Sequence, residues 1–351
     1  MDGDLTEELK ATVKQALVKK QTLSIVGGDS KSFLQTANAD AELDLSGHSG
    51  VIAYEPSELY ITARTGTSMA EIEALLATHN QMLACEPPHF GEKATLGGTV
   101  ACGFSGPRRP FGGAVRDHIL GVQIINGAGE VLQFGGQVMK NVAGFDVSRL
   151  MVGARGTLGC LLELSIKVMP KPELEETLLF ECPLADAPGR MSELTHRSIP
   201  VSALAWAEGH IFLRLEGTAA AIRAAHAQVG GEAATGSTHF WETVREQTHP
   251  FFKRSEPLWR LSLPPAAILN MSENDVLMDW GGGLRWWHTD KSAAEIEALA
   301  SGRGGYAYPF RGATPAVGAT PPAGLLTIHQ RLKKSFDPHG IFNPSLMGGG
   351  F

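Results

Sequence analysis

The feature that most constrains this chain is a stretch with no period, EPPHFGEKATLGGTVACGFSGPRRPFGG, spanning residues 86–113. Its glycines and prolines deny it a sustained helical or strand repeat, so it reads as one long loop. A loop of that length inside a compact domain has to be held by a scaffold and is usually functional. The bland alternative is a glycine-rich surface loop. Paired glycines let a backbone approach a flat ligand closely. The hydroxyls of TLGGT and CGFSG reach phosphate or sugar oxygens.

The scaffold is legible on both sides. Leu5, Leu9, Val13, Ala16 and Leu17 share one helical face over residues 5–19. An apolar run, Leu23 to Val26, then meets Gly27-Gly28-Asp29-Ser30. Two glycines at a strand end adopt positive φ and let backbone N–H groups converge on an anion. An ordinary strand-to-helix turn would have the same letters. Residues 41–45, 51–54 and 59–63 read as strands, and Ser68 with Glu71 fits a capping box. A hairpin follows at Ile119–Asn126 and Glu130–Phe134, then a strand over Leu161–Met169 whose Leu162, Leu164, Ile166 and Val168 alternate with polar residues. Pro170-Lys171-Pro172 marks a boundary. Beyond it, strands and the helices 218–228 and 293–300 suggest an α+β lobe on an antiparallel sheet. Residues 311–322 read as a Pro/Gly/Ala linker before a helix and DPHGIFNP.

Composition narrows the function. The chain has 351 residues, 43% hydrophobic and 19% charged, so packed cores in two domains are feasible. Its net charge of −7 argues against a nucleic-acid footprint and against direct docking on anionic lipid. No apolar stretch approaches the roughly 20 residues of a membrane span. The acidic start, MDGDLTEELK, lacks signal-peptide order, so the expected location is the cytoplasm. Four cysteines without a C-x-x-C pair argue against a disulfide framework and an iron–sulfur cluster, and no metal site is expected. The nucleotide loops are also missing. There is no G-x-x-x-x-G-K-[ST], and the Gly153–Gly159 string is followed by a strand instead of a helix.

Taken in order, GGDSK, DLSGHSGVIAYEP, TLGGT, SGPRRPFGG, VRDHILGVQIINGAGEVLQFGG, KNVAGFD and GARGTLGCLLELSIKV resemble the FAD-binding domain of the vanillyl-alcohol oxidase / p-cresol methylhydroxylase family, from about Thr22 to Pro172. KNVAGFDVSRL, DWGGGLRWW and IHQRLKKSFDPHGIFNP extend the likeness over the whole chain, toward the flavin subunits of glycolate oxidases (glycolate dehydrogenases). The resemblance implies an α+β protein. A PCMH-type FAD-binding domain of two α/β subdomains spans 1–172. An antiparallel-sheet cap spans 173–310, and a linker and segment returning to the FAD domain span 311–351. It implies a complex containing a second FAD-binding, glycolate-oxidising subunit and an iron–sulfur subunit, with the membrane reached only through partners.

Position by position, Gly27, Gly28, Asp29, Ser30 and Lys31 match the family's pyrophosphate loop. Thr95, Gly98, Cys102, Ser105 and Gly106 match its second FAD segment. Gly156, Leu158, Gly159 and Cys160 match the segment lining the adenine end, and Asn343 the stretch folding back near the flavin domain. Some relatives attach FAD through a His in the first loop; here Asp29 stands there, so the resemblance implies noncovalent FAD. The His motif of the larger glycolate-oxidising subunit is missing, and WGGGLRWWH stands in that region. Arg285, as a carboxylate partner, and His288, as a proton acceptor, are the candidates for oxidising a 2-hydroxy acid. Facing solvent or an interface is the competing role for both. Arg108 and Arg109 meet either the FAD phosphates or solvent. A stand-alone hydroxy-acid dehydrogenase and a flavin-fold scaffold remain open alternatives.

Overall fold

The structure, a computed structural model, describes residues 3–34, 38–137, 146–312 and 323–346. The apolar spacing near the N-terminus becomes the helix Thr6–Lys19, with Leu9, Val13 and Ala16 buried. Lys20 ends it in a left-handed conformation, φ 54°, and returns its N–H to the last turn. The strand Leu23–Val26 pairs in parallel with Ala41–Asp44. A parallel bridge between Leu23 and Phe342 adds the C-terminal segment to that pair.

A five-stranded antiparallel sheet follows in the order Val51–Glu55, Tyr60–Arg64, Cys160–Lys167, Ile119–Ile125, Val131–Gly135. The central strand, Cys160–Lys167, is buried on both faces. Leu164, Ile166 and Val168 pack with Met69, Ile72 and Leu76 of the helix Met69–Ala77. Cys160 and Leu162 pack instead with Leu9 and Val13. A register shift between Gln123 and Ile124 interrupts the simple alternation. Ser165, expected on a polar face, is buried and shares a 2.8 Å hydrogen bond with Thr62. Ser68 caps its helix by accepting from the Glu71 N–H at 3.1 Å.

The stretch 86–113 is not one loop. Residues Leu96–Cys102 form a helix despite two glycines, because the Thr95 hydroxyl caps it and Gly103, at φ 67°, stops it. Gly97 lies against Thr65, where a Cβ would sit 2.6 Å from the Thr65 Cβ. Tight packing therefore overrides poor helix propensity.

The second sheet has eight strands, all antiparallel, in the order Glu232–Ala233, Leu174–Glu181, His210–Gly217, Val201–Ala207, Val276–Asp279, Leu284–His288, Leu258–Ser262, Tyr306–Arg311. Helices Ala187–Thr195 and Ala219–Val229 cover one face through Met191, Leu194, Ile222 and Ala225. Helix Ala293–Ser301 packs Ile296 and Ala300 on Trp259, Leu261 and Trp287. On the opposite face, Trp241 of the helix Ser237–Glu246 packs on Ala203 and Ala205.

The chain divides into two compact units: Met1–Phe104, Ala114–Pro170 and Thr320–Phe351, and Ser105–Gly113 with Lys171–Ala319. Lys140-Asn141, in the KNVAGFD string, and nearly all of the stretch 311–322 lie outside the described residues. Among the described residues, no helix is long and apolar enough to cross a membrane.

Candidate functional site

The first unit holds a cleft where the strand Leu23–Val26 ends. Its walls are Ile25–Ser32, Thr65, Thr95, Gly97, Gly98, Ala101, Cys102, Arg155, Gly156, Gly159 and Asn343, with Leu34, Leu45, Leu161 and Leu346 supplying apolar floor. About 820 Å³ lies between those walls, the open mouth included.

The glycines of the first loop work differently from the expectation. Neither Gly27 nor Gly28 has positive φ; the left-handed residue is Asp29, at 54°. Glycine is required because the loop runs against Lys93 and Thr95. A Cβ on Gly28 would overlap the Lys93 carbonyl oxygen, and one on Gly27 would lie 2.7 Å from Thr95 Oγ1. Thr95 in turn accepts the Gly98 N–H at 3.2 Å. The two glycine-rich segments therefore hold each other, and both line the cleft.

Lys31 is buried. Its ammonium donates to the His89 carbonyl at 3.1 Å and to Ser30 Oγ at 3.4 Å, and lies 5.7 Å from the Phe90 ring centroid. Arg155, which the sequence reading missed, lines the same cleft at φ 50°. Its carbonyl accepts from Asn343 Nδ2 at 2.6 Å, and its N–H donates to the Ala101 carbonyl at 2.8 Å. Burial raises the Cys102 thiol pKa, and the Lys31 and Arg155 cations oppose that shift. Two cations thus act at one cleft. Glycine backbone, cations, hydroxyls and apolar floor together fit a dinucleotide bearing a pyrophosphate.

Asn343 is buried at φ 43°. Its Oδ1 accepts the Ile25 N–H at 2.7 Å while its amide holds Arg155. Both side-chain ends clamp cleft walls together. Behind it, Lys333 donates to the carbonyls of Thr157 at 2.7 Å and Phe342 at 3.0 Å and to Asp337 at 2.7 Å. The Asp337 carboxylate accepts the N–H groups of Ile341 and Phe342.

The structure brings Gly27, Gly28, Asp29, Ser30, Lys31, Thr95, Gly98, Cys102, Gly156, Gly159 and Asn343 to this one cleft. It does not bring Leu158 or Cys160, whose side chains enter the apolar cores. Ser105 and Gly106 belong to the second unit, where the Gly106 carbonyl accepts from Trp280 Nε1 at 2.9 Å. Arg108 is there too, paired with Glu216, and Arg109 stacks over Trp280 at 4.3 Å. The missed wall residues Thr65 and Leu45 carry no motif, since strand ends place them, whereas Arg155 stands inside the GARGTLG string.

Arg285 and His288 have structural surroundings. Arg285 is fully buried, and its guanidinium donates to the carbonyls of Gly282, Pro265 and Ala267. Burial, with Arg303 nearby, lowers its pKa to about 10. Both ring nitrogens of His288 face backbone carbonyls, Glu256 at 3.0 Å and Phe251 at 2.9 Å. Trp280, Trp286 and Trp287 are all buried. Among the described residues, no group of three His, Cys, Asp or Glu could hold a metal ion.

Fold and cleft define a PCMH-type FAD-binding flavoprotein, and the family model for an FAD binding domain matches residues 4–135. The chain belongs to the family of the glycolate oxidase subunit GlcE: it is 45% identical to that protein of Escherichia coli over 344 residues, 98% of this chain and 97% of the relative. It is also 33% identical to the glycolate oxidase subunit GlcD of Bacillus subtilis, over 36% of this chain and 27% of that one. A mitochondrial cytochrome-type D-lactate dehydrogenase of Saccharomyces cerevisiae is 30% identical over 49% of this chain and 29% of its own. The fold is shared with alkyldihydroxyacetonephosphate synthase, with a TM-score of 0.70, 16% identity, and 97% and 75% of the two chains covered.

Proposed function

We propose that this chain is the FAD-binding subunit of a glycolate oxidase, working in the oxidation of glycolate to glyoxylate. The observation that carries the reading is the cleft that joins the Gly27–Lys31 loop, the Thr95–Cys102 segment, Arg155–Gly159 and Asn343 within one unit. Lys31 and Arg155 would balance the pyrophosphate charge, and Gly27, Gly28, Gly98, Gly156 and Gly159 would let backbone approach it. Asp29 offers no imidazole for a covalent link, so FAD is held noncovalently. Bound there, FAD supplies the acceptor for the hydride equivalent leaving the hydroxyl-bearing carbon.

The second unit serves as cap and partner surface. Arg285 and His288 are committed to backbone carbonyls, so the proton acceptor of the reaction is sought on a second flavin subunit. An iron–sulfur subunit drains the electrons, and membrane contact comes through these partners. GlcE and GlcD are both named as subunits, which supports an assembly.

The test has two stages. The chain purified with FAD should be yellow, and acid should release the flavin. Reconstituted with its partners, it should bleach on anaerobic addition of glycolate. Colourless protein after folding with FAD would overturn the cofactor assignment. A flavin that stays oxidised in the full complex would overturn the glycolate assignment.

A further inference from the structure

Several arginines in the second unit pair with carboxylates. Arg108 pairs with Glu216, and Arg214 lies 3.5 Å from Glu216 and 4.0 Å from Glu175. Arg260 differs. It sits on the strand Leu258–Ser262, 9% exposed, on the sheet face opposite Trp259 and Leu261. Its one hydrogen bond among the described residues runs from Nη1 to the Tyr308 hydroxyl at 3.1 Å. Its Nε is buried without a partner. Three aromatic rings surround the guanidinium: Trp280 at 5.2 Å, Tyr308 at 5.6 Å and Trp286 at 5.8 Å. Rings attract a cation, but they do not replace the hydrogen bonds its N–H groups lose on burial.

The backbone beside it is strained. Trp280, Gly281 and Gly282 have successive positive φ values of 54°, 63° and 94°. A left-handed tryptophan is unfavourable and persists only where its surroundings fix it. Here the Asp279 carboxylate holds the Trp280 N–H at 2.7 Å, Gly106 holds the indole N–H, and Arg109 stacks over the ring. The DWGGG turn thus spends conformational energy to set an indole beside Arg260. Strain kept in this way is characteristic of ligand clamps.

We propose that Arg260, with Trp280, Trp286 and Tyr308, binds the carboxylate of a small 2-hydroxy acid. The Nε–Nη2 edge of the guanidinium, which makes no hydrogen bond among the described residues, is the bidentate edge that a carboxylate fits. The choice of a 2-hydroxy acid rests on the proposed function; the demand for an anion rests on Arg260 alone.

Trp280 and Trp286 lie close enough to report binding by their fluorescence. Glycolate should change the emission of the FAD-loaded chain saturably, while neutral glycolamide should not. Arg260→Lys should weaken glycolate about tenfold or more, since a point charge replaces a planar fork. Arg260→Met should abolish the response. Both variants are checked for folding by circular dichroism, and if Arg260→Met unfolds, Arg260→Lys and the glycolamide comparison decide.

The proposal is overturned if folded wild-type protein gives no saturable glycolate response, if glycolamide or chloride matches glycolate, or if Arg260→Lys binds as wild type does. It is likewise overturned if only an acidic partner subunit, and not glycolate, alters the emission. Because emission is read without turnover, glycolate binding in a complex whose flavin never reduces would sink the oxidase reading and leave this site standing.

Discussion

At position 28 any side chain would overlap the Lys93 carbonyl oxygen, whereas at position 98 a Cβ would meet only Thr95 Oγ1 at 3.2 Å. Two alanine substitutions should therefore behave differently. Gly28→Ala should lower stability by about 1–3 kcal/mol through overpacking, seen in the urea midpoint. Gly98→Ala should fold with near wild-type stability yet purify with less flavin, measured as the ratio of 450 to 280 nm absorbance. The glycine letters were legible, but their reason was not: the close neighbour at Lys93 is distant in sequence, and no local pattern announces it. Asn343→Ala should cost about 1–3 kcal/mol, because it leaves the buried Ile25 N–H and Arg155 carbonyl unpaired. A pH effect belongs to this scale as well. His48 is buried, its Nδ1 accepts the Leu5 N–H at 3.0 Å, and Asp4 and Arg64 are its charged neighbours. Burial lowers its pKa below 6.5 in the folded state. The unfolded chain then takes up the proton first, so this stability is full above pH 6.5 and falls as pH drops through the folded value. Urea melts at pH 8 and pH 5.5 should show the decline, and His48→Gln, which keeps an acceptor and cannot titrate, should flatten part of it.

Among elements, those with strong periods were readable. The helices at 6–19 and 69–77 and the hairpin at 119–135 announce themselves through apolar spacing, a cap or a turn. Helix Leu96–Cys102 did not, since two of its seven residues are glycines and only tertiary packing explains them. Helices Ala187–Thr195 and Ser237–Glu246 were also missed: the first contains Pro and Gly, and the second starts after a glycine without a side-chain cap. The C-terminal segment is the element whose role was least visible. Lys333 holds Thr157, Asp337 and Phe342 at once. Lys333→Met should leave a buried carboxylate without its cation and lower stability by about 3 kcal/mol. Limited proteolysis should then cut near the C-terminus first, and unchanged cleavage would count against the clamp.

On the scale of the whole molecule, each unit has its own apolar core. Met191→Ala, deep in the second unit, should cost about 2–5 kcal/mol. Flavin per folded molecule should stay constant, because every described wall of the cleft belongs to the first unit; a parallel loss of flavin would refute that assignment. The α+β class was readable from the mixture of strand and helix periods. The excursion of Ser105–Gly113 into the second unit was not, because its destination depends on Glu216 and Trp280, far along the chain. That excursion and the return of the C-terminal segment mean that the chain passes between units four times. A ribosome making this protein delivers Asn343 only after all of the second unit. The first unit therefore cannot finish its cleft until the second unit has been synthesised, and cofactor loading has to wait for Asn343. Polypeptides released before Asn343 would lack the closing wall, so retained flavin would mark a molecule made past that residue.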